Sequence, residues 1–189
     1  MLNNRRTVHD SALAHRWLDG LKGVEIGGAA HNDFHLDTLN VDRYPGADTV
    51  FKREERRVCG RAMPVDVVAP GDELPFADGT FDFVLASHVI EHFYDPIRAL
   101  EEWRRVARRY LFLVVPHRDR TFDRDRPLTP LAELVDRHAR GERSDEDRHW
   151  SVWTLETFVE LCEHLGLPVL DRLDPDDKTG NGFVVVLAA

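Results

Sequence analysis

Two short apolar runs, Val24–Ile26 and Leu39–Val41, are separated only by residues 27–38, and this spacing constrains the chain more than any other feature. Each run has the length and composition of a buried strand. The first ends in Gly27-Gly28, the second in Asp42. Parallel strands need a crossover of a dozen or more residues, commonly a helix. The stretch Ala29–Asp37 is too short for a full one, so the spacing predicts a turn or loop in its place. Glycine at a strand's C-terminal end lets a ligand approach the backbone, and a carboxylate at the end of the next strand can accept hydrogen bonds from both hydroxyls of a ribose. Together they lay out a nucleotide or nucleoside site in a doubly wound sheet. Without a crossover helix to aim its N-terminal amides at the ligand, the backbone of Gly27–His31 and the Asn32 side chain take that task.

The dinucleotide fingerprint G-x-G-x-x-G is absent, since Ala29, Ala30, His31 and Asn32 follow the glycines, and there is no Walker lysine. An oxidoreductase using NAD is therefore disfavoured. Further on, Leu74-Pro75-Phe76, Asp78-Gly79-Thr80-Phe81-Asp82 and Glu91-His92 form the most specific stretch of the chain. With Glu25-Ile26-Gly27 and Asp42, this stretch resembles the class I S-adenosylmethionine-dependent methyltransferases, and within them the methyltransferase type 11 group, over residues 23–116. The resemblance implies a Rossmann-like α/β fold, doubly wound, with a mostly parallel seven-stranded sheet and an antiparallel last strand. It also implies S-adenosylmethionine as cofactor. Asp42 would hold the ribose, Gly27 and Gly28 would admit the methionine end, and Glu25 would stand near its amino group. Ser87 and His88 would lie beside the methionine part. Pro70 stands where the group usually has an acidic residue at the adenine ring, and proline has no amide to donate. Asp72, or the backbone of Glu73 and Leu74, is expected to contact adenine instead; equally, Asp72 could merely shape the turn at Gly71.

The remaining elements follow in order. Apolar Val8, Ala12, Leu13, Trp17 and Leu18 predict a helix over residues 7–20, capped by Asp10 or Ser11 and stopped at Gly20. Arg43-Tyr44-Pro45-Gly46 is a turn signal, and Thr49–Cys59 is a short exposed helix or an irregular arm. Its mixed-sign KREERR run reads as a solvated face. Pro64–Ala69, Phe81–Ala86 and Tyr110–Val115 are strands. Asp95-Pro96 opens a helix whose stripe runs from Ile97 to Ala107, with Arg104, Arg105, Arg108 and Arg109 at its C-terminal end. Residues 117–150 are polar and charged, with a short helix from Thr129-Pro130 to Ala139, and form a candidate substrate lid within one domain over residues 1–189. Ser151–Leu165 is a helix with Thr154 and Thr157 as its cap, ended by Gly166, and Pro168–Leu173 and Phe183–Leu187 are the last strands.

A net charge of −9 argues against broad binding to a nucleic-acid backbone. Cys59 and Cys162 have no metal-ligand or disulfide spacing. No apolar run has transmembrane length and no signal core is present, so a cytoplasmic protein that binds no membrane, and could pair as a homodimer, is expected.

Methyl transfer from a sulfonium is largely a matter of alignment, which can contribute roughly 7–11 kcal/mol. A hydroxyl acceptor also gains from a base, worth a factor of about 10²–10⁴. His117, just after the fifth strand, is the first candidate, followed by His88 and His149, with Asp119 able to orient a histidine or hold a cation. No metal site is expected, because the resemblance already accounts for H-x-x-E-H and because His31 and His35 read as surface histidines. The expected function is methylation, on oxygen or nitrogen, of a small-molecule acceptor such as a sugar or specialised metabolite. The acidic charge and the absence of an appended recognition domain favour it. The alternative is a non-catalytic cofactor-binding or scaffold protein, suggested by the missing glycines, Pro70 and the short first crossover.

Overall fold

In the computed structural model, which describes residues 10–45, 49–144 and 146–189, the strands form one seven-stranded sheet. They are β1 (Gly23–Ile26), β2 (Thr38–Asp42), β3 (Val67–Val68), β4 (Phe81–Ser87), β5 (Ala107–Pro116), β6 (Val169–Leu173) and β7 (Gly182–Ala188). Their order is β3-β2-β1-β4-β5-β7-β6; β7 runs antiparallel to both its neighbours, and the other pairings are parallel. The expected sheet is present, with β7 as its one reversed strand.

The strands carry apolar side chains on both faces, as a covered parallel sheet requires. Val84 and Ala86 of β4, Leu111, Leu113 and Val115 of β5, and Phe183, Val185 and Leu187 of β7 share one core. That face is covered by α3 (Pro96–Val106), α4 (Leu131–Arg140) and α5 (Leu155–His164), with Trp103 and Phe158 fully buried. Phe83, Leu85, Phe112, Val114, Val184 and Val186 point to the other face, against Phe34 and α1 (Ala12–Leu18).

Local chemistry sets the helix ends. Ser11 accepts from the Ala14 amide and caps α1; Val8, in the expected helix pattern, lies outside the described residues. Asp177 receives Ser11 Oγ at 2.7 Å and the Leu13 amide at 3.0 Å, tying α1 to the β6–β7 loop. Asp95 caps α3. Thr154 and Thr157 form a reciprocal capping box on α5, whose helix starts at Leu155 rather than Ser151. The first crossover holds a single 3₁₀ turn, Ala30–Asn32, as its length requires.

Three expectations need correction. The helix α3 ends at Val106, so Arg108 and Arg109 lie on β5, where Arg108 pairs with Asp82 at 2.9 Å. The strand expected over Pro64–Ala69 shrinks to Val67–Val68, because the Asp66 side chain, not a backbone carbonyl, accepts from the Asn40 amide at 2.8 Å. The charged run in α2 (Val50–Cys59) is not all solvated: Lys52 and Glu55 are buried, with Lys52 Nζ 2.8 Å from Glu55 Oε1.

Candidate active site

The C-terminal ends of β1 and β4 diverge where the strand order reverses, the position at which open α/β sheets bind ligands. A cleft opens there between Gly27, Asp42, Asp72, Val89, His92 and Phe93. Its far wall comes from the 117–150 segment, through Arg143, Ser144, Glu146 and Asp147.

Gly27 turns the chain after β1 with φ +67°, and its amide donates to the Val41 carbonyl at 2.8 Å. A side chain there would be strained, and its Cβ would lie 3.0 Å from Val89 Cγ2. Gly28, by contrast, is filled in from all sides. A Cβ would stand 2.8 Å from Met63 Sδ and 2.9 Å from both Asn40 Oδ1 and Glu25 Cδ. Its amide donates to Asn40 Oδ1 at 2.9 Å, and its carbonyl accepts from Lys52 Nζ at 3.1 Å. Glu55, paired with that lysine, accepts from the Ala30 amide at 3.0 Å and the Met63 amide at 2.8 Å. The buried ion pair thus braces the loop that the short crossover leaves without a helix.

Asp42 reaches the cleft at the end of β2, with Oδ1 accepting from the Tyr44 amide at 3.0 Å. Asp72 also faces it. Burial pushes its carboxyl up, while the Arg143 charge, with Nε 3.5 Å from Oδ2, pulls the other way. The Glu73 amide donates to the Pro70 carbonyl at 3.2 Å, and the Leu74 amide to Glu102 Oε1 at 2.6 Å. Both amides are engaged within the protein, which leaves Asp72 as the member of this stretch that faces the cleft. Ser87 accepts from Asn32 Nδ2 at 2.6 Å, joining the end of β4 to the first crossover.

Glu25 lies beneath Gly28 and is 4% exposed. Burial, helped by the nearby Asp33 charge, pushes its carboxyl up to about 7. The folded protein therefore holds a proton that the unfolded chain releases near pH 4.5, and stability falls as pH rises from that value through 7. At about 1.4 kcal/mol per unit, the contribution is about 3 kcal/mol. Glu25→Gln is expected to remove this slope. The gap between the urea midpoints at pH 5 and pH 8 should narrow in the variant, the Glu91 share remaining, and profiles parallel to the wild type would show that Glu25 stays ionised throughout.

Four further groups converge after β4. His88, at φ +56°, has Nδ1 4.0 Å from Glu91 Oε1 and Nε2 3.3 Å from Thr179 Oγ1. Burial pushes this imidazole down to about 4, so it is neutral at pH 7. Glu91 is 1% exposed, its carboxyl is pushed by burial up to about 8, and neither oxygen has a hydrogen-bond partner within the protein. His92 Nε2 and His149 Nε2 each lie 3.8 Å from Glu91 Oε1, and their rings meet edge to face at 4.8 Å. His149 Nδ1 is held by buried Asp123 at 2.5 Å, which fixes the tautomer that leaves Nε2 as the acceptor. His117 is separate. Its Nδ1 accepts from the Asp119 amide at 3.1 Å, its ring packs on Phe183, and it does not line the cleft.

Asn40, Lys52, Glu55 and Asp123 were missed by sequence reasoning. Asn40 sits in a strand, and the others sit in mixed-charge runs without local signals. Among the described residues, no helix is long and apolar enough to cross a membrane.

Residues 26–114 match the family model of a methyltransferase domain. The chain is 22% identical over 184 residues to an uncharacterized protein of Methanocaldococcus jannaschii, covering 89% of this chain and 81% of that one. Among solved structures, an S-adenosylmethionine-dependent methyltransferase from Thermotoga maritima is 20% identical with a TM-score of 0.56, over 93% of this chain and 84% of that one. Another, from Methanosarcina mazei, is 17% identical with a TM-score of 0.57, over 95% and 98%. These are likenesses of fold. With the sheet order and the cleft at its reversal point, they show that the chain has the fold of these S-adenosylmethionine-dependent methyltransferase structures and that residues 26–114 match a methyltransferase domain.

Proposed function

We propose that this domain methylates a small-molecule acceptor, a sugar or specialised metabolite, on oxygen or nitrogen, and that residues 117–150 form the acceptor side of its cleft. The observation that carries this reading is the placement of Asp42, Gly27 and Asp72 around one opening at the reversal point of the sheet. Asp42 would accept from the ribose hydroxyls, Asp72 would face the adenine side, and Val89 and Phe93 supply apolar wall. The left-handed turn at Gly27 would bring backbone close to the methionine end, with Ser87 and His88 following at the end of β4. Glu25 supports that loop from below. When bound, S-adenosylmethionine supplies a methyl group activated on a sulfonium. A hydroxyl acceptor must also lose a proton, and a histidine nitrogen lone pair near the cleft can take it. Among His117, His88 and His149, the last has its acceptor nitrogen oriented by a carboxylate. The net charge of −9 suits a small acceptor better than a polyanion.

A second reading, a non-catalytic cofactor-binding or scaffold protein, is favoured on its scaffold side by one feature: the Gly28 and Ala30 amides are already bound to Asn40 and Glu55 and cannot grip a ligand. Calorimetry with S-adenosylmethionine, S-adenosylhomocysteine and NAD decides the cofactor. Micromolar binding of the sulfur ligands and none of NAD is expected, and binding of neither sulfur ligand would overturn the proposal. Transfer of labelled methyl to a panel of hydroxyl and amine compounds, with bulk RNA for comparison, then separates an enzyme from a scaffold.

A further inference from the structure

We propose that Glu91, His92 and His149, joined by His88, form a site for one divalent transition-metal ion of the manganese, cobalt or zinc kind, which presents an acceptor oxygen to the cofactor cleft. The site stands on geometry alone; its part in turnover rests on the methyl-transfer reading.

Three observations carry it. First, one ligand atom from each of Glu91, His92 and His149 lies within 4.8 Å of the other two. Ligand atoms around an ion with bonds of about 2.1 Å stand about 3–3.5 Å apart. The 3.8 Å from Glu91 Oε1 to His92 Nε2 and to His149 Nε2 needs only a few tenths of an ångström of closure. Second, Glu91 is buried with both carboxylate oxygens unpartnered, and three imidazoles face it at 3.8–4.0 Å, too far for hydrogen bonds. A buried carboxylate without donors is costly unless something else satisfies it, and a cation placed among these four groups does so.

Third, the outer nitrogens of His149 and His88 are held as those of ligating histidines are held, by oxygen partners behind the ring. Asp123 binds His149 Nδ1 at 2.5 Å and is itself fixed by Arg126 Nη1 at 2.6 Å. Asp147 Oδ1 lies 3.1 Å from His92 Nδ1. Thr179 Oγ1 lies 3.3 Å from His88 Nε2. Its own proton is directed to Asp176 or Asn181, whose oxygens lie within 3.0 Å, so the threonine oxygen accepts from His88 and leaves Nδ1 toward Glu91. The rings of His149 and His88 thus turn the nitrogen nearer Glu91 inward as a lone pair, while His92 Nδ1 has the Asp147 carboxylate beside it without a hydrogen bond. Mixed imidazole and carboxylate donors suit borderline divalent transition ions.

His92 and Asp147 line the cleft, so an ion here borders the cofactor site. A hydroxyl bound to it becomes more acidic. The hydroxyl proton leaves to solvent, the oxygen lone pair forms the new bond to the methyl carbon, and the carbon–sulfur bond breaks to leave a thioether. His149 then acts as a ligand and not as the base.

The test strips the full chain with a chelator and titrates manganese, cobalt and zinc by calorimetry, following the visible absorption of bound cobalt. One equivalent per chain is expected, with a rise in thermal midpoint. Glu91→Gln and His149→Ala should abolish stoichiometric binding, and Asp123→Asn should weaken it about 10–100-fold. The paired change His31→Ala and His35→Ala, on exposed loop positions, should leave it intact. Glu91→Gln keeps the size and shape of the side chain, and a thermal midpoint near that of the stripped wild type shows that its loss of metal is not a loss of fold. Absence of stoichiometric binding, or binding that survives both Glu91→Gln and His149→Ala, overturns the site. S-adenosylmethionine titrated into the stripped protein separates the two proposals. Metal without cofactor binding keeps the site and removes methyl transfer, and transfer that persists in chelator removes the ion's part in turnover.

Discussion

Replacing Glu55 with alanine is expected to cost about 3–5 kcal/mol of folding stability, the range for stripping one partner from a buried ion pair. Lys52 Nζ would keep the Gly28 carbonyl but lose its counter-charge, and the Ala30 and Met63 amides would lose their acceptor. Burial alone would raise the Glu55 carboxyl, but the two amides and the lysine outweigh it and hold it below the usual range. Its contribution is therefore present above the ordinary glutamate range and is lost as pH falls through the lowered value. Urea unfolding near pH 7 measures the loss. Lys52→Met combined with Glu55→Leu should recover part of it, because no charge is then left buried. A single variant within about 1 kcal/mol of wild type would mean that the pair is hydrated and does not brace the loop.

Asp42→Ala is expected to act on binding and not on folding. The carboxylate stands half-buried at a strand end, and its one protein contact described above is the Tyr44 amide. Two charge-assisted hydrogen bonds to a ribose, each worth about 1.5–3 kcal/mol, would be lost. S-adenosylmethionine affinity should therefore fall by about 10²-fold or more, with an unfolding midpoint near that of the wild type. Calorimetry on the two proteins side by side checks both halves. An unchanged dissociation constant would remove Asp42 from the ribose role.

Much of the architecture could be read locally, because local chemistry produces it. Asp95-Pro96, the Thr154–Thr157 pair and Gly166 mark helix ends within a few residues of themselves. The missing crossover helix follows from counting residues between two strands. The buried charges could not be read in this way. KREERR looks like any solvated helix face until the Gly28 carbonyl and two orphan amides are placed beside it. The Glu91 cluster joins residues from 88 to 149, and Asp123 has no motif to announce it. Ala107 continues the apolar helical pattern in sequence, but it pairs with Phe81 as the first residue of a strand.

The reversed strand β7 carries a consequence for the order of assembly. It lies between β5 and β6, although it is made after both. Until Gly182–Ala188 has been synthesised, β6 has no partner in the sheet and β5 presents an open, apolar edge. Such an edge templates association between chains. The nascent protein must therefore keep a nearly finished sheet unsealed until its last strand arrives, and a polypeptide stalled before Gly182 is expected to aggregate where the whole chain stays dispersed.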